Sequence, residues 1–242
     1  MPQVSHPEIR RQVPICIAAN AKVNVMKQTQ NFNTSEAEFA NVHYAPQDWR
    51  DRVALRVVKL MRTVPDMFFA KRYGHRAVVL ETVAAVPGMV GGLLQHLRAI
   101  RHIRDDQGWI KELIEEAENE RMHLMTFIHI AQPSRFERFL IMAVQLVFYN
   151  FYFFLYLLAP GVAHRLVGYL EEEAVTSYTQ YLAEIDARKI ENIEAPDIAK
   201  EYWNLPDDAR LRDLVLVIRA DEAAHRDTNH TFANAIVDKS AP

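Results

Sequence analysis

Two short patterns in this sequence set an acid beside an imidazole at a spacing that suits metal binding. Glu120 is followed three residues later by His123, and Glu222 three residues later by His225. Residues three apart leave the same face of a helix one turn from each other, so each pair presents a carboxylate and a ring nitrogen together. The spacing alone is a weak signal, and its placement is what strengthens it. The first pair interrupts an apolar stripe of Ile110, Leu113, Ala117, Leu124, Phe127 and Ile128. The second continues a stripe made by Leu211, Leu214, Val215 and Ile218. Both acids therefore occupy places where a helix should point into its core.

Two further glutamates share that oddity. Between Ala77 and Leu97 the only Asp, Glu, Lys or Arg is Glu81, set within AVVLETVAAVPGMV. An ionised carboxylate is almost never fully buried without a partner; the bland alternative pairs Glu81 with Arg76 or Arg98. Glu171, Glu172 and Glu173 stand in succession. A stripe of Ala163, Val167, Ala174, Tyr178 and Leu182 passes through Glu171 but not Glu172. Glu171 is thus the inward acid, Glu172 reads as part of a solvated face, and Glu173 is intermediate. The chain order becomes Glu, Glu-x-x-His, Glu, Glu-x-x-His on four helices. That is the ligand set with which a four-helix bundle holds two irons. Four carboxylates offset the four positive charges of two ferrous ions in a dry core, and two neutral imidazoles complete the shell while leaving positions open for dioxygen. The alternative is a metal-free bundle whose acids coincide by chance.

These side chains need long helices to carry them. The chain has 242 residues, half of them hydrophobic and only seven of them glycine, which favours an all-α domain over a many-stranded sheet. A net charge of −3 leaves no nucleic-acid footprint. The single cysteine, Cys16, excludes an internal disulfide framework and a Cys-based zinc site, so a bound metal must be held by His, Asp and Glu. Residues 1–45 are polar and proline-containing and read as an extended arm, with a disordered tail as the alternative; 46–242 form the bundle domain. Helices are expected from Trp49 to a stop at Pro65, then over 74–104, 109–131, 136–159, 162–187 and 207–237, with a loop carrying Pro196 and Pro206 before the last.

At these residues the sequence resembles the alternative oxidases, haem-free terminal oxidases that oxidise quinol. The matching stretches are LET (80–82), NERMHL (119–124), LEEEA (170–174) and RADEA (219–223) running into HRDTNH, in family order. The resemblance implies a ferritin-like four-helix bundle with a di-iron core and two additional membrane-facing helices. It implies that Glu81, Glu120, His123, Glu171, Glu222 and His225 bind two iron ions, that Asn119 and Asp221 orient those ligands, and that Tyr178 lies beside the metals as a redox-active or proton-donating phenol. Tyr202 and Trp203 match an aromatic pair of the family. The quinol head group is expected near Arg76, Leu80, Ala84, Glu173, Ala174 and Ser177. Thr176-Ser177 and Ala224 depart from the commoner pattern, which leaves the quinol contacts less well defined than the metal site. The implied reaction is cyanide-insensitive oxidation of ubiquinol with reduction of dioxygen to water, without proton pumping, in a homodimer.

Two segments bear on a membrane. Arg52, Arg56, Lys59 and Arg62 recur at helical spacing among Val53, Leu55, Val57, Val58, Leu60 and Met61, giving an amphipathic helix with a basic face. From Phe139 to Ala159 the chain carries no charge and is rich in Phe and Tyr. Its length would span a bilayer, but Gln145, Asn150 and the many aromatics favour a seat in one leaflet; a dimer core is a third reading. The N-terminus shows no export or transit pattern, which favours the cytoplasmic side of a bacterial membrane over the matrix side of the mitochondrial inner membrane. Two other activities fit the scaffold: a di-iron hydroxylase of a quinone precursor or lipid, and ferritin-like iron storage.

Overall fold

The computed structural model describes residues 42–69 and 73–240. Most of the expected arm, Cys16 included, lies outside them. Seven helices account for the described fold: α1 (Trp49–Phe69), α2 (Tyr73–His102), α3 (Trp109–Ala131), α4 (Arg135–Leu158), α5 (Pro160–Asp186), α6 (Asp197–Trp203) and α7 (Leu211–Ser240). No strand occurs among the described residues, only one isolated bridge, Glu194 with Arg210.

The helix ends follow from local chemistry. Ser134 opens α4 with a full capping box: its side chain accepts from the Glu137 amide at 3.3 Å, and Glu137 accepts from the Ser134 amide at 2.8 Å. Helix α5 starts at Pro160, two residues before the expected 162, where the fixed φ of proline suits a first turn. Pro65 does not end α1, which stays helical to Phe69 at the loss of one ladder hydrogen bond. The loop between Pro196 and Pro206 contains the unexpected helix α6, and α7 begins at Leu211, four residues later than its expected start.

The bundle consists of α2, α3, α5 and α7. Helices α2 and α3 pack closely, as do α5 and α7, while the backbones of the two pairs stay farther apart. Apolar packing closes both ends of this gap. At one end lie Phe127, Tyr181, Leu182, Ile185, Leu214 and Ile218; toward the other lie Val86, Val90, Phe148, Tyr152, Tyr156 and Val167. Burying each such side chain contributes about 1.5–3 kcal/mol. Between these clusters the gap is polar.

Helices α1 and α4 lie outside the bundle. Only Phe148, Tyr152 and Tyr156 of α4 are buried, one residue per turn, whereas Phe139, Met142, Leu146, Val147, Phe154 and Leu158 face outward. On α1, Ala54 and Val58 pack inward against Leu166 and Tyr169.

The close approach of α2 to α3 depends on Gly88. A Cβ there would stand 2.3 Å from the Leu113 carbonyl oxygen and 2.9 Å from the Ala117 Cβ, atoms that can move only with their helix. Gly88→Ala is expected to cost about 1–3 kcal/mol or more and to lower the thermal midpoint by roughly 2–10 °C. Lys111→Ala, on the exposed face of α3, should leave it within about 2 °C. Thermal unfolding followed by circular dichroism checks both.

Candidate di-metal site

The polar gap holds the acids singled out from the sequence. Glu81 from α2, Glu120 and His123 from α3 and Glu222 from α7 each offer one ligand atom, and these atoms all lie within 4.8 Å of one another. His225 approaches from α7, with Nδ1 2.6 Å from Glu120 Oε1. Glu171 on α5 is 3% exposed and faces Glu222. All six expected ligands thus converge on one volume. Glu81 does not pair with Arg76 or Arg98: its carboxylate accepts the Tyr178 phenol and lies 3.4 Å from His123 Nδ1.

The electrostatics of this cluster ask for cations. Burial pushes Glu81 and Glu171 well above the usual carboxylate range, and the charges of Glu222 and Glu120 push both further. Burial acts on Glu120 in the same direction, but His123 and His225 beside it reverse the outcome and hold it low. Burial also opposes a charge on His123, yet Glu120 and Asp221 hold that ring well above its ordinary pKa; His225 is raised to about 9 in the same way. With protein groups alone, protons balance the charge. Divalent cations displace such protons, because carboxylates and imidazoles bind metal in their deprotonated forms.

Several buried atoms also lack a hydrogen bond: Glu81 Oε2, Glu120 Oε1, both oxygens of Glu222 and His225 Nδ1. Although His225 Nδ1 and Glu120 Oε1 are close, they are not aligned as donor and acceptor. Buried polar atoms are rarely left unpaired, and here the unpaired ones face each other across the gap. Four carboxylates and two inward Nδ1 atoms suit two hard divalent ions with oxygen and imidazole preference, iron or manganese.

Around this cluster a second set of groups fixes the ligands. Asp221 Oδ2 accepts from Trp203 Nε1 at 2.8 Å and from Asn119 Nδ2 at 3.0 Å, and it lies 3.3 Å from His123 Nε2. Burial tends to raise Asp221, but its hydrogen-bond partners, His123 foremost, hold it low. With Nε2–H directed at Asp221, Nδ1 is the nitrogen that faces Glu120 and Glu222, each at 3.2 Å, and the one that gives up its proton to bind a cation. Trp203 stacks on the His123 ring at 5.6 Å, and Tyr202 Oη accepts from Asn119 at 3.3 Å. The short helix α6 exists where it presents these two aromatics.

On the side of Glu81, Glu171 and Glu222 opposite that polar shell, a cavity of about 600 Å³ opens between α1, α2, α4 and α5. Its walls are apolar, with Val58, Met61, Val83, Val147 and Phe151 among them. All six residues expected near a quinol line it: Arg76, Leu80, Ala84, Glu173, Ala174 and Ser177. Arg76 is 5% exposed; it donates to Ser177 Oγ at 2.6 Å and lies over the Tyr73 ring. Glu173 is ion-paired with Arg62.

Two acids depart from the sequence reading. Glu172 is not solvated: its carboxylate accepts from the Tyr44 amide at 2.9 Å, lies 3.0 Å from His230 Nε2, and lies 2.5 Å from His43 Nδ1. Glu116 went unnoticed. It is 5% exposed, accepts from Asn229, and is pushed by burial up to about 7 against the opposing pull of His225 and Asn229. Its place four residues before Glu120, on the same helix face, was the available signal.

Comparison with known proteins now bears on this arrangement. The alternative oxidase family matches residues 32–234. The chain is 60% identical over 194 residues to Ubiquinol oxidase 2, mitochondrial, of Glycine max, covering 80% of this chain and 58% of that protein. It is 58% identical over 194 residues to Ubiquinol oxidase, mitochondrial, of Mangifera indica, covering 80% of this chain and 61% of the relative. A fungal relative of that name, from Batrachochytrium dendrobatidis, is 57% identical over 198 residues, covering 82% of this chain and 63% of its own length. The chain therefore spans about three fifths of the curated relatives it matches. With the match extending over most of the sequence and four helices bringing their acids to one buried gap, the chain belongs to the alternative oxidase family.

Proposed function

We propose that this protein is a quinol oxidase that reduces dioxygen to water at a di-iron centre held by Glu81, Glu120, His123, Glu171, Glu222 and His225. The observation that carries the reading is the meeting of a buried, cation-seeking acid cluster with an apolar cavity of about 600 Å³ that shares Glu81, Glu171 and Glu222 as its inner wall. A storage protein has no use for such a cavity. A hydroxylase would use a similar one, but the names of the relatives favour the oxidase, and ubiquinol is the substrate those names carry.

The pair of irons supplies the electron storage and dioxygen binding that no side chain provides. The protein supplies the rest. Apolar walls admit the quinol ring and keep bulk water from the acids. Arg76 and Ser177 offer the polar edge that fixes a quinol oxygen. The Arg62–Glu173 ion pair ties α1 to α5 beside the cavity. Tyr178 holds its phenolic proton on Glu81, burial and the charges of Glu81 and Glu222 keep that proton in place, and the ring stacks on Phe127. This makes Tyr178 the hydrogen donor nearest the ligands. Two quinols release four electrons and four protons, which convert one dioxygen to two waters.

The outward apolar face of α4, next to the basic face of α1, seats the protein in one leaflet of a quinol-bearing membrane, and the cavity between these helices then opens toward lipid. The relatives are named as mitochondrial, which supports the mitochondrial inner membrane alongside the bacterial cytoplasmic membrane as the setting. A second apolar strip on α2, Met89, Leu93, Leu97 and Ile100, offers a contact for a homodimer. With no helix crossing the bilayer in this arrangement, turnover moves no protons across it.

Purified protein should contain two irons per chain and consume oxygen with a short-chain ubiquinol in the presence of cyanide. Glu120→Ala and His225→Ala should reduce both iron content and uptake to background; retained turnover in either variant would refute the ligand assignment. Ala84→Phe, which fills part of the cavity, should raise the quinol KM about tenfold or more with iron retained. Val147→Asp with Phe154→Asp should release the protein from liposomes, measured by flotation, while the soluble variant keeps its iron.

A further inference from the structure

One chain of buried polar groups near the acid cluster has no part in the scheme above. Asn229, one turn after His225 on α7, directs its amide nitrogen at both oxygens of Glu116, at 3.0 and 2.9 Å, and at the His225 carbonyl at 3.0 Å. Its oxygen, 2.9 Å away, faces His164 Nδ1 on α5. His164 Nε2 in turn lies 3.0 Å from the Tyr156 hydroxyl on α4. Glu116, His164 and Asn229 are all buried.

The chemistry of each group orders the whole chain. The amide nitrogen of Asn229 has two acceptors, so its oxygen must be the atom that faces His164. His164 therefore carries its proton on Nδ1 and accepts the Tyr156 hydroxyl on Nε2. Burial, which lowers His164 to about 4 against the opposing hydrogen bond from Asn229, keeps the ring in the neutral form that can both donate and accept. The row ends on Glu116, whose ionised form takes both amide contacts. An amide in the middle makes this a device that passes on orientation rather than protons.

Its location gives it a purpose. Helices α3 and α7 belong to different close-packed pairs, and across the gap between them the polar contacts run antiparallel. Asn119 and His123 meet Asp221, Glu120 meets His225, and Glu116 meets Asn229. The ligands thus lie between two cross-gap ties. The family resemblance implies the first, through Asn119 and Asp221; the second lies outside it. We infer that Glu116 and Asn229, backed by His164 and Tyr156, are positioning residues that hold the Glu222–His225 turn of α7 at the separation from α3 that two metal ions require. This rests on the di-metal reading.

Metal binding by the protein itself is the test, with oxygen uptake beside it. Iron is removed by chelation, cobalt(II) is titrated in against a competing chelator, and its visible absorption is followed for the parent and variants. Glu116→Ala and Asn229→Ala should weaken cobalt binding about 10–100-fold, and in the iron-loaded enzymes should lower kcat with little change in quinol KM. Glu116→Gln, which keeps one acceptor oxygen for Asn229, should lose less. Asn229→Asp sets two carboxylates against each other and should lose most. The double variant Glu116→Gln/Asn229→Asp swaps donor and acceptor across the gap and should recover affinity relative to Asn229→Asp alone. A merely structural pair would lower the thermal midpoint while the folded variants bound cobalt within about twofold of the parent; that result, or a double variant no better than Asn229→Asp, overturns the inference. A parent protein that takes up no metal overturns both the inference and the reading beneath it.

Discussion

Negative charge confined to a dry gap governs this structure. Four carboxylates from four helices face one another where water cannot reach them, and removing each charge from water costs several kcal/mol. An apolar bundle would close that gap by drawing its helices together. Here the close contacts are made within the pairs α2–α3 and α5–α7, and the separation between pairs is kept by groups that attract across it. Asp221 gathers Trp203, Asn119 and His123 on one side, and Asn229 reaches Glu116 on the other. The fold is stable around its least favourable feature because the repulsion of the acids is offset locally, by imidazoles, protons or divalent ions.

The surroundings of the gap divide by polarity. The cavity wall toward α1 and α4 is apolar except for Arg76, Ser177 and the Arg62–Glu173 pair. Toward α6 and the far side of α7 the groups are hydrogen-bonded and polar. The gap thus has an apolar side, where the cavity adjoins Glu81, Glu171 and Glu222, and a hydrogen-bonded side, where Asp221 supports His123. That division lets the same four helices border an apolar cavity and keep a cluster of acids buried, each beside the other.

Much of this was legible before any coordinates. Glu81, Glu120, Glu171 and Glu222 were recognisable because each interrupts an apolar stripe, and a buried acid is conspicuous where everything around it is oily. The outward face of α4 was legible for the same reason in reverse. Other features were hidden by context. Glu116 stands among Glu115, Glu118 and Glu120, so a charge run disguised its burial. Helix α6 is seven residues long between two prolines, too short to display a period. Pro65 carries a strong stop signal, yet α1 continues through it to Phe69. Glu172 shares a turn with two other acids, and its inward partners come from His43, Tyr44 and His230, residues distant in sequence that no local pattern can reveal.

That turn of α5 has a consequence of its own. Glu171 points into the bundle, Glu172 clasps the segment entering α1, and Glu173 meets Arg62 on α1. Three consecutive side chains, fanned by about 100° per residue, are each committed to a different neighbour. Inserting or deleting one residue upstream within α5 would rotate all three off their partners at once, so this helix acts like a key whose teeth must engage together. Evolution can vary the walls of the apolar cavity residue by residue, but it can alter the phase of α5 only by rebuilding the core, the entry segment and the surface helix in a single step.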